Sequence, residues 1–189
     1  MEPAKKNMLE YWETLKSRDV FVAPPWIRVA ALQVRLPDGR VVNDYHQIEL
    51  SDYAIVFAKT SDGRVIVERQ YKHGIGKVTL VLPAGMIEPG ETPLEAAQRE
   101  LLEETGYRAE GWTALGKFAG NGNYGCGTAH MFMARDAQLV AEPRSGDLEE
   151  IEVILMRPED IVNSFRTGDV ALLGTLATVA LATNPLFLA

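Results

Sequence analysis

Residues 82–107 constrain this chain most, because a glycine-rich loop there runs directly into an acidic segment with strong helix signals. Thr92 and Glu95 have the spacing of a capping box, in which side chain and backbone satisfy each other's hydrogen bonds at a helix start. Pro93 follows at the first helical position, and Gly106 is a natural C-terminal stop. The second half of the segment is therefore predicted to be a helix.

Three carboxylates lie close together on this predicted helix. Glu100 and Glu104 are one turn apart and share a face, with Glu103 beside it. Like charges at this spacing destabilise an isolated helix by about 0.2–0.5 kcal/mol per pair, and the helix dipole disfavours anions near the C-terminal end. The cluster becomes favourable when a hard divalent cation binds, since Mg²⁺ prefers oxygen ligands. A solvated acidic face is the alternative interpretation of these residues taken alone.

Loop and helix together resemble the box of the Nudix hydrolase superfamily. The matching positions are Gly85, Glu91, Arg99, Glu100, Leu101, Glu103, Glu104 and Gly106. Tyr107 departs from the pattern, being aromatic where an aliphatic residue is usual, and the change leaves the chemistry intact. The resemblance implies an α+β fold, an α/β/α sandwich with a mixed sheet, and metal-dependent hydrolysis of a phosphoanhydride bond.

The resemblance also implies roles for individual residues. Glu100, Glu103 and Glu104 are expected to bind Mg²⁺ or Mn²⁺, and in related enzymes a backbone carbonyl at the position of Ala84 completes the metal site. Glu103 and Arg99 are in addition expected to act in catalysis, Arg99 by orienting a carboxylate, with Glu91 in support. A divalent metal suits this chemistry because it neutralises phosphate charge and activates water.

Outside the box, the Arg-Gln-Tyr-Lys run of residues 69–72 resembles a segment of ADP-ribose and nucleoside-diphosphate-sugar pyrophosphatases, as do residues 82–85. The likeness implies ADP-ribose or an ADP-sugar as substrate. It also implies substrate binding by the residues Arg69, Tyr71 and Lys72.

Two other functions stay open. Residues 122–124 lack the proline typical of ADP-ribose pyrophosphatases and include Tyr124, which favours a dinucleoside polyphosphate hydrolase. A Nudix-fold protein that binds a nucleotide without cutting it is the third interpretation. The intact set of metal ligands favours an enzyme.

A glutamate in the loop before a late strand serves as catalytic base in the resembling subfamily, and residues 147–153 match that segment. The apolar positions 151, 153 and 155 define a buried strand face. Glu149 shares this face by alternation, whereas Glu150 and Glu152 point outward. Glu149 is therefore the candidate base, with an ordinary loop carboxylate as the alternative.

The N-terminal part is predicted to be an extension of residues 1–50 before a Nudix domain of residues 51–189. Residues 5–18 suggest an amphipathic helix, and 27–36 and 40–50 an antiparallel strand pair. Because an isolated hairpin is marginal in water, this pair is expected to pack in a homodimer.

Trp26 and Tyr45 lie in this strand region, where related dimers stack the adenine between aromatic rings. Both are expected to bind substrate, with interface core as the alternative. The remaining elements are predicted as strands at 53–60, 64–70, 78–82, 115–119, 129–136 and up to 156, and as helices at 158–165 and 169–183.

Charge and composition argue against some classes of binding partner. The net charge of −7 argues against a nucleic-acid-binding surface, although bound metal reverses the local sign for a phosphate substrate. Cys126 is the only cysteine and cannot form an internal disulfide. No signal-peptide core begins the sequence, and the apolar stretch 170–182 is too short to span a bilayer. A cytoplasmic protein without membrane partners is expected.

Overall fold

A computed structural model describes residues 10–146, 148 and 150–188. Within them the chain forms two compact units. The first comprises the described residues up to Ser51 together with Asn121–Cys126. The second comprises Asp52–Gly120 and the described residues from Gly127 onwards.

The first unit is a three-stranded antiparallel sheet. Its strands are β1 (Glu13–Ala23), β2 (Ile27–Arg35) and β3 (Val41–Glu49), which lie in this order across the sheet. The predicted strand pair is confirmed as β2 and β3. The predicted helix over 5–18 is wrong for residues 13–18, which belong to β1, and its residues 5–9 lie outside the described part of the chain. Pairing along the whole of β2 overrides the weak helical periodicity of that segment.

The core of this unit is small. Ala30, Leu32 and Val34 alternate along β2 and are buried, with Val42 and Tyr45 packed against them. The glycine-rich loop Asn121–Cys126 joins this unit by hydrogen bonds, among them one from the Ile48 N–H to the Tyr124 carbonyl oxygen at 2.9 Å.

The second unit is built on a seven-stranded mixed sheet. The strands are β4 (Tyr53–Thr60), β5 (Val65–Lys72), β6 (Lys77–Val81), β7 (Ala84–Met86), β8 (Tyr107–Ala119), β9 (Thr128–Leu139) and β10 (Ile151–Met156). The main path of the sheet runs β10-β5-β4-β9-β8, with β6 paired to β5 and β7 paired to β4. The pairs are antiparallel except β4 with β9, which is parallel.

Helices cover both faces of this sheet. α1 (Pro93–Thr105) buries Ala96, Ala97 and Leu101 against one face. On the other face lie α2 (Pro158–Thr167) and α3 (Leu173–Thr183), which contribute Ile161 and Val179 to a second core. The predicted α/β/α sandwich with a mixed sheet is confirmed. α3 begins at Leu173 rather than at residue 169. None of the described helices has both the length and the apolar character needed to cross a membrane.

Both faces of β10 are covered, although the sequence predicts only one buried face. Val153 and Leu155 pack against the core beneath α1, whereas Ile154 and Met156 pack against the core beneath α2 and α3. Glu152 is exposed, as the alternation predicts. A strand between two helical layers needs apolar residues at successive positions, because each side chain meets a core.

Candidate active site

Local sequence determines both ends of α1. The Thr92 Oγ1 accepts a hydrogen bond from the Glu95 N–H at 3.3 Å, and the Glu95 carboxylate accepts one from the Thr92 N–H at 2.8 Å, which completes the predicted capping box. Pro93 occupies the start of the helix, and Gly106 ends it with a φ of 75°. The residues between these signals are therefore held in one helical register, and the carboxylates of its last turns keep fixed positions.

Arg99 connects most of the polar side chains of the site. Its guanidinium binds both carboxylate oxygens of Glu91, at 2.9 and 3.0 Å. It also donates to Glu100 at 2.7 Å, to Glu103 at 3.2 Å and to the Met86 carbonyl oxygen at 2.9 Å. The hydrogen bond from Arg99 holds the pKa of Glu91 below its ordinary value, and the hydrogen bond to Glu91 is the main cause that raises the pKa of Arg99. Arg99 thus orients carboxylates from the loop and from the helix.

Glu104 is linked directly to the loop before the box. Its side chain is buried, and Oε2 accepts a hydrogen bond from the backbone N–H of Ala84 at 2.8 Å. Ala84 begins β7, which pairs with β4 opposite Ile55. The sheet and the helix therefore bring together two residues that are 20 positions apart in the sequence.

Gly85 permits a third carboxylate to approach the same loop. A Cβ atom added at Gly85 would lie 1.9 Å from Oε1 of Glu100, much closer than atoms can approach. Glycine at this position therefore makes room for the Glu100 side chain against the backbone of β7.

The expected metal ligands have the right chemistry for Mg²⁺ or Mn²⁺, because the carboxylates of Glu100, Glu103 and Glu104 and the carbonyl of Ala84 are all oxygen donors. Within the described ranges, however, no three acidic, histidine or cysteine side chains are close enough together to hold a metal ion. Arg99 engages Glu100 and Glu103 instead. The donor set fits a hard cation in type, while Arg99 holds the side chains of Glu100 and Glu103 and the Ala84 N–H holds that of Glu104.

A cavity of about 350 Å³ opens beside Glu104 and Ala84. Strands β4 and β5 pair where Lys59 lies opposite Val65. At a distance from this pair, residues of both strands line the cavity. Its polar wall is formed by Glu68, Gln70 and Lys72 of β5. The first turn of α3 closes another side, and no side chain caps this helix start. The cavity therefore places the ammonium group of Lys72, the amide of Gln70 and hydroxyl groups beside the expected metal ligands Glu104 and Ala84.

Strand alternation places the three predicted substrate-binding residues of β5 on two different sides of the strand. Lys72 lines the cavity beside Glu104, whereas Arg69 and Tyr71 point to the other side of β5 and line a separate surface depression. Arg69 forms an exposed ion pair with Glu152 at 2.8 Å. Only Lys72 of the three therefore lies next to an expected metal ligand.

Trp26 and Tyr45 belong to the first unit. Trp26 is 64% exposed in the turn between β1 and β2. Tyr45 makes an edge-to-face contact with Trp12, with ring centroids 5.8 Å apart, and its hydroxyl donates to the carbonyl oxygen of Asn123. Trp26 is therefore mostly exposed, while Tyr45 is partly engaged in the core of its own sheet.

Glu149, the predicted base, lies outside the described residues. Glu150, its neighbour, is exposed, as the alternation predicts. The strand that follows begins at Ile151, which lies opposite Gln70 in the ladder of β10 and β5.

Several residues of the cavity wall were not predicted from the sequence. Glu68 is fully buried and accepts a hydrogen bond from Gln70 at 2.6 Å. A charged residue directly after the apolar run of 65–67 was a signal that could have identified it. Tyr53 and the first turn of α3 also line the cavity, and no local sequence feature indicates that position.

Comparisons with known proteins agree with this architecture. The NUDIX domain model matches residues 50–173, and the model of the nucleoside diphosphate sugar hydrolase N-terminal domain matches residues 12–48. An ADP-ribose pyrophosphatase of Bacillus subtilis (strain 168) is 30% identical over 138 residues, covering 72% of this chain and 74% of that protein. A methanol dehydrogenase activator of Bacillus methanolicus is 30% identical over 145 residues, covering 75% of each.

The fold itself has a clear counterpart among solved structures. The crystal structure of an ADP compounds hydrolase superposes with a TM-score of 0.78, covering 91% of this chain and 92% of that chain at 21% identity. The predicted Nudix-type fold is thereby confirmed. With the family model spanning more than half of the 189 residues and the box helix built as the motif requires, this chain belongs to the Nudix family of hydrolases.

Proposed function

We propose that this enzyme hydrolyses the pyrophosphate bond of a nucleoside diphosphate derivative, with ADP-ribose or an ADP-sugar as its substrate. The observation that carries the proposal is the junction of Glu104 and Ala84 at the wall of a cavity that Lys72 also lines. The two expected metal ligands and the ammonium group of Lys72 then line one cavity, and positive charge there suits a diphosphate. The names of the Bacillus subtilis relative and of the N-terminal family model support the choice of substrate.

The metal would be Mg²⁺ or Mn²⁺, held by Glu100, Glu103, Glu104 and the carbonyl of Ala84. When bound, such a cation neutralises phosphate charge and activates water. Arg99 would keep the acidic side chains in position, because its hydrogen bonds join Glu91 to the ligands on α1. Beyond its role as a ligand, Glu103 remains a predicted catalytic residue.

Substrate contacts follow from the charges of the β5 side chains. Lys72 would bind a phosphate oxygen, since it lines the cavity next to Glu104. Arg69 and Tyr71 would bind parts of the substrate that extend beyond the cavity. Trp26 and Tyr45 are retained as candidates for stacking on the base.

Glu149 is proposed as the group that takes a proton from the attacking water. Glu149→Gln is expected to lower kcat by about 100-fold or more, as removal of a general base does. Half-maximal activity should require an unchanged metal concentration, because the proposed ligands lie on α1 and at Ala84. Glu150→Gln is the matched control, since Glu150 is exposed. Loss of activity in Glu150→Gln alone would show that the alternation argument chose the wrong carboxylate.

A hydrolysis panel tests the reaction and the substrate together. It contains ADP-ribose, ADP-glucose, GDP-mannose, NADH, diadenosine polyphosphates and an oxidised deoxynucleoside triphosphate, each with Mg²⁺ and with Mn²⁺. ADP-ribose is expected to give AMP and ribose 5-phosphate with the highest kcat/KM. A diadenosine polyphosphate with a higher kcat/KM would favour the alternative indicated by Tyr124. No cleavage of any compound would favour a nucleotide-binding protein without hydrolase activity.

The assembly is proposed to be a homodimer in the cytoplasm, with residues 1–50 as the dimerising extension and 51–189 as the hydrolase domain. The small core of the first unit supports this, because among its described residues only three apolar side chains are buried. Nucleic acids and membranes are not expected as partners. Light scattering at micromolar protein should give twice the monomer mass, and a monomer mass would reject the dimer.

A further inference from the structure

The first turn of α3 has backbone hydrogen-bond donors that the fold does not use. The first hydrogen bond of the helix runs from the Leu176 N–H to the Leu172 carbonyl oxygen at 3.1 Å. The N–H groups of Leu173, Gly174 and Thr175 come before it, and none of them has an acceptor among the described residues. This turn lines the polar cavity. A helix start attracts anions, because its N–H groups and the helix dipole carry partial positive charge.

Thr175 adds a second, independent feature at the same place. The residue lines the cavity and is only 3% exposed. Among the described residues its hydroxyl has no hydrogen-bond partner, whereas those of Thr178 and Thr183 donate to carbonyl oxygens one turn earlier, at 2.8 and 2.7 Å. Its Oγ1 is not completely enclosed by protein, so the accessible part of the residue includes the hydroxyl. Because a buried hydroxyl without a partner costs free energy, Thr175 is suited to a ligand in the cavity.

A phenol hydroxyl lies beside the same turn. A Cβ atom added at Gly174 would lie 2.9 Å from the Tyr53 hydroxyl oxygen, so glycine allows the turn to approach that hydroxyl. This hydroxyl, too, has no hydrogen-bond partner in the part of the chain that the structure describes. Burial raises the pKa of Tyr53, so its hydroxyl stays protonated and can donate. The start of α3 and Tyr53 therefore present several donors to the cavity that both line.

The charged side chains of the cavity restrict which anion can bind there. Lys72 provides one cation, whereas Glu68 and Glu104 are carboxylates and oppose a free anion. A divalent cation at the expected ligands Glu104 and Ala84 would reverse the local charge. The cavity therefore suits an anion that binds together with Mg²⁺, as a diphosphate does.

We propose that the start of α3 binds a phosphoryl group of the substrate, with the hydroxyls of Thr175 and Tyr53 donating to its oxygens. This inference rests on the proposed function, since it names the groups that hold the diphosphate beside the metal ligands. Phosphoryl oxygens are charged acceptors, and hydrogen bonds to charged acceptors are stronger than those between neutral groups. The unused N–H groups of the first turn and the two hydroxyls then gain partners when the substrate binds.

The experiment measures the binding of methylenediphosphonate by calorimetry at saturating Mg²⁺. This probe has two phosphoryl groups joined by carbon, so the enzyme cannot hydrolyse it, and it lacks both base and sugar. Its affinity therefore reports contacts to phosphoryl groups alone. The proteins are wild type, Thr175→Val, Thr175→Ser, Tyr53→Phe and the control Thr178→Val. The control removes a buried hydroxyl that already has a partner within α3.

Thr175→Val should bind the probe at least about tenfold more weakly, because a hydrogen bond to a charged group is lost. Its melting temperature should not fall, since a methyl group of similar size replaces a hydroxyl that has no partner among the described residues. Tyr53→Phe should also weaken binding, and Thr175→Ser should keep most of the wild-type affinity. Thr178→Val should bind as wild type does, although its helix loses a hydrogen bond.

Wild-type affinity in both Thr175→Val and Tyr53→Phe would overturn the inference, as would a wild type that does not bind the probe. A lower melting temperature in Thr175→Val, with no recovery of affinity in Thr175→Ser, would make Thr175 a structural residue and contradict it as well. Hydrolysis of ADP-ribose tests the proposed function separately. If the variants bind the probe as expected but wild type cleaves no nucleotide, the proposed function alone fails. If wild type cleaves ADP-ribose and the variants keep full affinity, the inference alone fails.

Discussion

The backbone N–H of Ala84 donates a hydrogen bond to Oε2 of Glu104 at 2.8 Å, which fixes a buried carboxylate of the box helix to the first residue of β7. Glu104 is only 5% exposed. A carboxylate so deeply buried needs hydrogen bonds, since burial without them costs several kcal/mol. The contact thus holds a proposed ligand on α1 beside the carbonyl-bearing residue that is expected to share its metal.

Glu104→Gln is expected to lower kcat by at least about 100-fold, or about 2.7 kcal/mol of activation free energy. The amide oxygen of glutamine can still accept from Ala84, so the melting temperature should change little. Glu88→Gln is the control, because Glu88 is an exposed carboxylate in the loop before α1. Kinetics at saturating Mg²⁺ and thermal melting provide the two measurements. Wild-type kcat in Glu104→Gln would remove Glu104 from the metal site.

Gly85→Ala should weaken metal binding without unfolding the protein. The new Cβ would overlap Oε1 of Glu100, and the flexible carboxylate would have to move away. The Mg²⁺ concentration for half-maximal activity is expected to rise about 10–100-fold, as when the support of a metal ligand is lost. Gly74→Ala is the matched control, because a Cβ there meets no atom within 4 Å. Equal metal titrations for both variants would contradict the proposed role of Glu100.

Gly106 and Gly168 allow the stability cost of a glycine-to-alanine change to be compared at two helix ends. Both end a helix in the left-handed region, with φ of 75° and 78°. An added Cβ would lie 2.1 Å from the Ala141 carbonyl oxygen at Gly106, but 3.8 Å from Lys77 Nζ at Gly168. Gly168→Ala should cost about 1 kcal/mol of unfolding free energy from backbone strain. Gly106→Ala should cost clearly more in urea unfolding, and equal losses would show that the backbone of residue 141 yields easily.

The pair of Glu91 and Arg99 should make stability depend on pH. Arg99 lowers the pKa of Glu91 below its ordinary 4.5, so the folded state favours the ionised carboxylate. The stabilisation is complete above pH 4.5 and is lost as the pH falls through the lower pKa of the folded state. Glu91→Gln should therefore melt at a lower temperature than wild type at neutral pH.

This difference should shrink on acidification below pH 4.5, where wild type loses the ion pair as well. Glu95→Gln is not a suitable control, because Glu95 belongs to the capping box. Glu110→Gln serves instead, since Glu110 is exposed on β8. A melting difference that stays constant across the acidic range would mean that Glu91 contributes by packing rather than by charge.

Local sequence determined the box helix, because its start and stop signals act within one turn. Thr92, Pro93 and Gly106 satisfy or terminate backbone hydrogen bonds with their own neighbours, whatever the rest of the chain does. Because these local signals set the ends of α1, they also place Glu100, Glu103 and Glu104 on its last turns. The family and the reaction class are therefore readable from this segment of the chain.

Only the tertiary structure decided how distant segments meet. Residues 13–18 are a strand because β2 offers a full ladder of partners, which outweighs a weak helical periodicity. Alternation alone separates Lys72 from Arg69 and Tyr71, but which side of β5 faces the cavity depends on where β4 and α3 lie. Glu68 and Gly174 reach the cavity region for the same reason. Hydrogen bonds across many residues and the packing of two layers on one sheet are properties of the whole chain, so no short segment encodes them.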